Sequence, residues 1–255
     1  MSSGWRHPGR RGAALYALLA GIVGSVLALV SRVQVERQRG RRAVAAELPP
    51  GRLIVISNHT SYADGLLLAL VCRRHGRSLR LLATSEVFKA PIIGTLARKL
   101  GFISVDRGAS TASTSLDRAA EALAAGEAIG LFPEGRLTRN PQKWPERAKT
   151  GAVRLALRTD TPIVPVAMEG AHRVVGERRI IATVLRNMIR RPKVRTRVGA
   201  SIDVRALVEL APGAQATADE VRIAADIVME RLIDLVEELR GETAPDPIGV
   251  PRTAD

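Results

Sequence analysis

A histidine and an aspartate five positions apart are the first residues in this chain whose types and spacing could do chemistry. They are His59 and Asp64, in the stretch NHTSYAD that follows the apolar run RLIVIS. A carboxylate beside an imidazole fixes its tautomer and stabilises the imidazolium, which makes the other ring nitrogen a better general base. A plainer interpretation is also open, in which Ser61 or Asp64 caps the next helix and His59 lies on a surface turn.

Two more apolar runs are each followed by a charged residue. Arg107 stands just beyond FISV, where a guanidinium can bind a phosphate through two hydrogen bonds. Glu134 follows AIGLF between Pro133 and Gly135, so that a tight turn would present its carboxylate. Taken singly, a solvated charge at a strand end or an ordinary turn also explains each of them.

The apolar runs before these residues predict the strands of an α/β fold. Strand-like runs alternate with helical stretches of about ten residues, which indicates a mixed, largely parallel sheet flanked by helices. His59, Arg107 and Glu134 each follow a strand end, the edge where open α/β sheets carry their sites. Pro162 and Pro165 predict an edge or bulged strand, or one that lines the site. The predicted strands are 52–57, 79–84, 102–105, 128–132, 162–168 and 193–199.

An apolar segment precedes the predicted domain. Residues 12–31 carry no charge, and a helix of that length would cross the roughly 30 Å hydrocarbon core of a bilayer. A membrane span, a helix lying in the interface and a cleaved signal peptide are the three interpretations. The length of the run and the lack of a small-residue cleavage site speak against the last. More arginines follow the run than precede it, which predicts a cell-membrane protein with its main domain on the cytoplasmic side.

The net charge of +14 predicts an anionic partner. Much of that charge lies in residues 172–197, where a cationic amphipathic helix would either lie on anionic lipid or pack its apolar stripe on the core. Nucleic acid is disfavoured because aromatic residues make up only 3% of the chain and no helix-turn-helix or zinc pattern is evident. Cys72 is the only cysteine, so neither an intrachain disulfide nor a Cys-rich metal site is possible.

Four motifs taken in order resemble those of the glycerolipid acyltransferases, the lysophospholipid acyltransferase family typified by 1-acylglycerol-3-phosphate acyltransferase. That family carries N-H-x4-D, then G-x-I-x-x-x-R, then F-P-E-G-x-R, then a V/I-P-I-V-P-V strand. The segment KTGAVRLAL also resembles the family's Lys-x-Gly-Ala helix. The third motif departs from the pattern, since Arg136 follows Gly135 directly and Arg139 comes three residues later. The four motifs stand here as NHTSYAD (58–64), GFISVDR (101–107), FPEGRLTR (132–139) and TPIVPVA (161–167).

The resemblance implies an O-acyltransferase of phospholipid biosynthesis, with His59 as general base and Asp64 as its orienting carboxylate. Acyl-CoA or acyl carrier protein would donate the acyl group, and lysophosphatidic acid would accept it to give phosphatidic acid. Another lysophospholipid, glycerol 3-phosphate or a non-glycerol alcohol is the alternative acceptor. No cofactor and no metal are expected. The resemblance implies acceptor or phosphate binding by Arg107, Glu134, Gly135, Arg136 and Arg139, and a supporting role for Asn58, Pro133, Lys149 and Pro165.

These observations divide the chain into three parts. Residues 1–45 are predicted to form a membrane-associating helix and a basic linker. Residues 46–240 are predicted to be a single acyltransferase domain, and residues 241–255 a disordered tail. Membrane lipids are the expected partners of residues 12–31 and of the basic stretch 172–197.

Overall fold

The computed structural model describes residues 5–36, 48–105, 109–175, 180–211 and 213–245, and all structural statements refer to these ranges. Arg107 lies outside the described residues, as do the predicted linker from residue 37 onwards and the predicted tail from residue 246 onwards. The roles assigned to those segments therefore stay predictions.

Within the described ranges, seven strands form one sheet in the order β1-β7-β6-β2-β5-β3-β4. Neighbouring strands are parallel except β6 and β7, so β1 and β7 run opposite to the other five. The six predicted strands are all present with ends shifted by at most one residue, and a mixed, largely parallel sheet is confirmed. The strands are β1 Arg32–Glu36, β2 Leu53–Ser57, β3 Leu79–Thr84, β4 Ile103–Val105, β5 Ala128–Leu131, β6 Ile163–Glu169 and β7 Lys193–Val198.

Helices cover both faces of this sheet. Alternate strand residues point to opposite faces, so Ile54 and Ile56 enter one apolar cluster while Leu53 and Val55 enter the other. Helices α5, α6 and α9 pack on the first face, and α1 and α2 on the second. The helices are α1 Gly9–Val30, α2 Asp64–Arg74, α3 Ser85–Lys89, α4 Pro91–Lys99, α5 Ala109–Ala124, α6 Gly151–Thr159, α7 Ile180–Arg190, α8 Val204–Leu207 and α9 Ala218–Arg240, with a 3₁₀ turn at Ala171–Arg173.

The segment after the apolar helix differs from its prediction as a linker. Residues 32–36 form the edge strand β1, paired in parallel with β7 from Arg32 opposite Lys193 to Glu36 opposite Arg197. The alternation in RVQVE is a strand pattern, but the arginines around it make the whole segment resemble a basic linker. Pairing with β7 decides the outcome, because a short polar strand gains its stability from the neighbouring strand.

The strand with the two prolines lies inside the sheet, between β2 and β7, and not at its edge. Pro165 cannot donate to the ladder, yet its carbonyl accepts the Gly199 N–H at 2.8 Å. Val166 pairs with Val198 and Ile163 pairs with Ile202. Between these pairs two residues of β6 face the three residues 199–201, which is a bulge. A side chain at Gly199 would collide with Pro165 and Leu235. The extra residue belongs to the segment that follows β7 and not to β6 itself, and the predicted edge position is wrong.

The closing helix begins and ends as its sequence predicts. Thr217 and Glu220 form a reciprocal capping box, and Gly241 ends the helix in a left-handed conformation with φ of 73°. Residues 241–245 belong to the predicted disordered tail, but the structure places them against the domain. Ala244 is buried, and its N–H donates to Glu237 Oε1 at 2.7 Å, so residues 241–245 pack back against α9.

Candidate active site

The turn between β2 and α2 brings His59 and Asp64 into contact. Asp64 Oδ2 lies 3.0 Å from His59 Nδ1 and also accepts the backbone N–H groups of Thr60 at 2.5 Å and Ser61 at 2.7 Å. The N-cap of α2 is Ala63, with no side-chain cap bond. Asp64 therefore faces back into the turn, and the interpretation of this residue as only a helix cap is wrong.

The imidazole of His59 is fixed in orientation but remains reachable. Its ring stacks on Phe132 with centroids 4.0 Å apart and planes 14° from parallel. The Asp64 side chain is fully buried, whereas the His59 side chain keeps 19% of its surface exposed. Because the carboxylate can only accept, the proton is assigned to Nδ1, and Nε2 is left as the basic nitrogen.

Glu134 is a buried carboxyl that ties two loops together. Oε1 accepts the His59 backbone N–H at 3.0 Å, and Oε2 accepts the Glu146 N–H at 3.1 Å. The residue is 4% exposed, and this burial raises the pKa of Glu134 to about 8, against the lowering effect of the two N–H groups. Both oxygens are engaged within the protein. The geometry therefore gives Glu134 contact with the His59 turn, and the contact with an acceptor that the resemblance implies stays a prediction.

The two arginines of the third motif differ in their surroundings. Arg136 Nη1 lies 2.8 Å from Glu146 Oε2, and the same carboxylate accepts the Arg139 backbone N–H at 3.1 Å. The side chain of Arg139 lines a cleft of about 500 Å³ that begins beside the His59 turn. The cleft is lined by Tyr62, Leu137, Thr138, Arg139, Asn140, Pro141 and Lys143. Of the two, Arg139 is the one that faces this cleft.

The residues assigned supporting roles hold the backbone around the site. Asn58 bonds both the carbonyl and the N–H of Met168 on β6, at 2.8 and 2.9 Å. The Pro133 carbonyl accepts the Lys149 N–H at 2.9 Å, which closes the loop between β5 and α6. Gly135 has φ of 68°, and a side chain there would press on the Lys149 chain at about 3.0 Å.

Two contacts of the site could not be found from the sequence. Glu146 joins Glu134, Arg136 and Arg139, but its only signal is an acid within the polar run WPERAK. Phe132 reads as the end of a strand, and its stacking on His59 depends on how β5 and β2 lie side by side. The Phe132 contact joins segments far apart in sequence, and the Glu146 contacts depend on how an irregular loop folds back on itself, so local patterns carry no trace of either.

Comparisons with known proteins agree with this arrangement. A stretch of 128 residues of this chain is 31% identical to the lyso-ornithine lipid O-acyltransferase of Pseudomonas aeruginosa. The match covers 49% of this chain and 46% of that protein. A further 123-residue match is 26% identical to the chloroplastic 1-acyl-sn-glycerol-3-phosphate acyltransferase BAT2 of Brassica napus, covering 48% of this chain and 34% of the relative. The chain thus matches less than half the length of either relative.

The fold has a counterpart among solved structures. The 1-acyl-sn-glycerophosphate (LPA) acyltransferase PlsC of Thermotoga maritima superposes with a TM-score of 0.63 at 22% identity, covering 94% of this chain and 86% of that one. A family model described as Acyltransferase matches residues 32–169, from the edge strand β1 to the end of β6 and more than half of the chain. That range contains the His59 turn, the cleft and Glu134. This chain belongs to the acyltransferase family.

Proposed function

We propose that this protein is an O-acyltransferase that moves a fatty acyl group from acyl-CoA or acyl carrier protein to the hydroxyl of lysophosphatidic acid, giving phosphatidic acid. The observation that carries the proposal is the pair of a fully buried Asp64 and a partly exposed His59, 3.0 Å apart. Such a pair supplies a general base beside a cleft large enough to hold part of a substrate.

The reaction follows from this geometry. His59 Nε2 takes the proton of the acceptor hydroxyl as its oxygen attacks the thioester carbonyl. Asp64 stabilises the imidazolium that results. The tetrahedral intermediate then collapses, the carbon–sulfur bond breaks, and the imidazolium returns the proton to the departing thiolate. An ester and a free thiol are the products, so the proton and the electron pairs balance without any further reagent.

A direct transfer is favoured over a covalent acyl-enzyme on Cys72. That thiol is fully buried in α2, and burial raises the pKa of Cys72 to about 12. A thiol in that state is a poor nucleophile. The hydroxyl of the acceptor is therefore the attacking group in the proposed reaction.

Arg139 is the residue we assign to the phosphate of the acceptor, because it lines the cleft while Arg136 is paired with Glu146. Arg107 keeps its predicted role at the same phosphate. A second lysolipid acceptor is the alternative, and it draws support from the relative that is named a lyso-ornithine lipid O-acyltransferase. Acceptors with and without a phosphate separate the two.

We further propose that α1 lies in the membrane interface, on the cytoplasmic face of the cell membrane. The helix is 22 residues long and contains an 18-residue stretch with a mean hydropathy of 2.3, so it is long and apolar enough to cross a bilayer. The helix nevertheless lies against the domain: the Tyr16 hydroxyl accepts the Leu79 N–H at 3.0 Å, and Leu27 and Val30 enter the core. A helix packed on the domain in this way favours a position in the membrane interface over a span across the bilayer.

The outer side of α1 carries the apolar surface that this placement needs. Leu18, Ile22, Val26 and Leu29 follow helical spacing and are each more than half exposed. Helix α7 packs beside α1 and exposes the large apolar side chains of Leu185, Met188 and Ile189. The arginines of the 172–197 stretch would contact anionic headgroups around this surface.

Release of free coenzyme A by the purified protein tests the proposed reaction. Long-chain acyl-CoA is offered in liposomes with lysophosphatidic acid or with a lysolipid that lacks phosphate. His59→Ala is expected to reduce turnover by at least about 10²–10⁴-fold, the usual worth of a general base. His75→Ala, at the other end of α2, is the matched control and should retain wild-type turnover.

The outcomes separate the alternatives. Release that needs both lysophosphatidic acid and His59 supports the full proposal. Release of coenzyme A with the phosphate-free lysolipid alone would show that lysophosphatidic acid is not the acceptor, while the proposed mechanism would stand. An unchanged rate in a folded His59→Ala protein would exclude His59 as the base. Silence with every acceptor calls for the same assay with acyl carrier protein as donor, and failure there rejects the acyltransferase.

A further inference from the structure

Arg240, in the last turn of α9, holds the loop that forms one wall of the cleft. Its side chain is 8% exposed. The guanidinium donates to the carbonyls of Gln142 at 3.0 Å and Lys143 at 2.9 Å, and lies 4.2 Å from the ring centroid of Trp144. Its Nε also donates to Glu169 Oε2 at 2.7 Å. One planar cation thus joins α9, the end of β6 and the loop.

A chain of hydrogen bonds runs from this loop to the catalytic turn. The Trp144 carbonyl accepts the Thr138 hydroxyl at 2.6 Å. The Thr138 N–H in turn donates to the His59 carbonyl at 2.8 Å. These contacts connect Arg240 to the backbone of His59.

A second connection reaches the same turn from β6. Glu169, the ion-pair partner of Arg240, follows Met168 in the strand. Met168 pairs through its backbone with the side chain of Asn58, the residue before His59. The backbone on both sides of the imidazole is therefore anchored to elements that the guanidinium ties together.

We propose that Arg240 is a positioning residue for His59, which acts by locking the loop 138–144 to the end of β6. The inference rests on the proposed function, since it assigns His59 the role of base. It concerns a residue that lies outside the range 32–169 matched by the family model. A guanidinium suits this task because its planar fork spreads its donors over three nitrogens and reaches two carbonyls and a carboxylate that lie apart, whereas an ammonium carries its three donors on one nitrogen.

A purely structural ion pair is the competing explanation, and the choice of variants separates the two. Arg240→Lys keeps the charge opposite Glu169 and loses the fork that binds the two carbonyls. The double variant Arg240→Met/Glu169→Gln removes both buried charges, so no uncompensated carboxylate is left to unfold the protein. Arg197→Lys is the matched control, because Arg197 pairs with Glu238 of the same helix at 2.6 Å and with Glu36 at 3.2 Å.

Three readouts follow in a Trp5→Phe background, in which Trp144 is the one remaining tryptophan. The first is kcat and KM for coenzyme A release, measured where circular dichroism shows each variant folded. The second is acrylamide quenching of Trp144 fluorescence. The third is the rate at which diethyl pyrocarbonate modifies His59, followed by peptide mass spectrometry.

Both Arg240 variants are expected to lower kcat about 10- to 100-fold, the cost of a displacement of about 1 Å at a reacting group, with KM nearly unchanged. Quenching of Trp144 and modification of His59 should both rise. In Arg197→Lys all three stay at the wild-type level, even if its melting temperature falls. Equal kcat in the Arg240 and Arg197 variants at equal loss of stability would overturn the proposal.

The failure of the proposed function is recognised separately. If the wild-type protein turns over no acceptor, the proposed function is rejected. The quenching of Trp144 and the modification rate of His59 then test the positioning role of Arg240 on their own. Unchanged quenching and unchanged His59 modification in both Arg240 variants would reject it. A rise in both would keep Arg240 as the residue that fixes the turn.

Discussion

In the turn around His59 most polar groups are hydrogen-bonded inside the protein, with Thr60 Oγ1 and Asp64 Oδ1 as exceptions, whereas the outer faces of α1 and α7 present apolar side chains to solvent. Asp64 Oδ2 alone accepts from three groups, and Glu134 bonds two backbone N–H groups. On the outer face Ile22 is 52% exposed and Ile189 is 89% exposed. The first region is held mainly by hydrogen bonds within the chain, and the second lacks the surroundings that would bury it.

The contrast separates what the fold preorganises from what it leaves to a partner. A general base gains from a fixed orientation, and that orientation comes from buried hydrogen bonds in a low dielectric. An interfacial surface gains from apolar area that a lipid can cover. Substitutions in the turn should therefore change the rate of the reaction, and substitutions on α1 should change where the protein resides.

The largest effect is expected for Asp64→Asn. The amide oxygen can still accept the N–H groups of Thr60 and Ser61, but the negative charge that stabilises the His59 imidazolium is gone. We expect kcat to fall about 10²–10⁴-fold with the far-UV spectrum preserved. Steady-state release of coenzyme A measures the change.

A carboxylate elsewhere provides the control for that substitution. Asp203 Oδ1 accepts the N–H groups of Arg205 at 2.9 Å and Ala206 at 3.3 Å, in the same manner as Asp64 but without a histidine. Asp203→Asn should keep the wild-type kcat. Equal rates in the Asp64 and Asp203 variants would show that the turn needs no charge beside His59, and the contrast between the two regions would lose its catalytic half.

The next effect concerns the outer face of α1. Ile22→Ser should weaken binding to vesicles rich in anionic phospholipid about tenfold, because burying an isoleucine is worth about 1.5–3 kcal/mol and part of this side chain already contacts the protein. Ile223→Ser on α9 is the control, since Ile223 is 53% exposed against 52% for Ile22 and lies on the opposite face of the sheet. Sedimentation with vesicles measures both.

Two results would count against the interfacial surface. Equal loss of binding in the Ile22 and Ile223 variants would mean that the attachment is not specific to α1. Unchanged binding in both would assign the attachment to charge alone. Turnover of a water-soluble short-chain acceptor should stay the same in either variant, because the His59 turn is untouched.

The strands and the placement of the polar clusters could be predicted from the sequence, because each is written in local patterns. The run LIVI is apolar at every position, which is typical of a strand buried on both faces, and the polar residues begin at Ser57 and continue in the turn after it. Contacts between distant segments could not be predicted in this way. Arg240 and Trp144 are 96 positions apart, and an arginine near a helix end looks like any solvated charge.

The role of Glu134 shows the same limit from the opposite side. Its motif marked the residue as important, and the resemblance placed it at the acceptor. Only the fold reveals that its oxygens face the backbone of His59 and Glu146. The local sequence is the same whether a turn presents its carboxylate to solvent or buries it against the backbone.

The smallest effect is the pH dependence that this burial creates. Because burial raises the pKa of Glu134 from 4.5 to about 8, the folded protein retains a proton that the unfolded chain has already released. Folding stability from this group is therefore fully present below pH 4.5, falls as pH rises towards 8, and is constant above. The slope is at most about 1.4 kcal/mol per pH unit.

Glu134→Gln removes the titration, so the difference in unfolding free energy between wild type and variant should move in favour of the variant as pH rises from 5.5 to about 8. The Glu134→Gln variant is less stable than the wild type at low pH. Its amide nitrogen cannot accept a hydrogen bond, so one of the two backbone N–H groups that donate to Glu134 loses its partner. Urea unfolding at constant ionic strength gives the difference at each pH. Parallel stability curves would mean that Glu134 ionises normally in the folded protein, and the catalytic turn would then rest on a charged carboxylate and not on a neutral one.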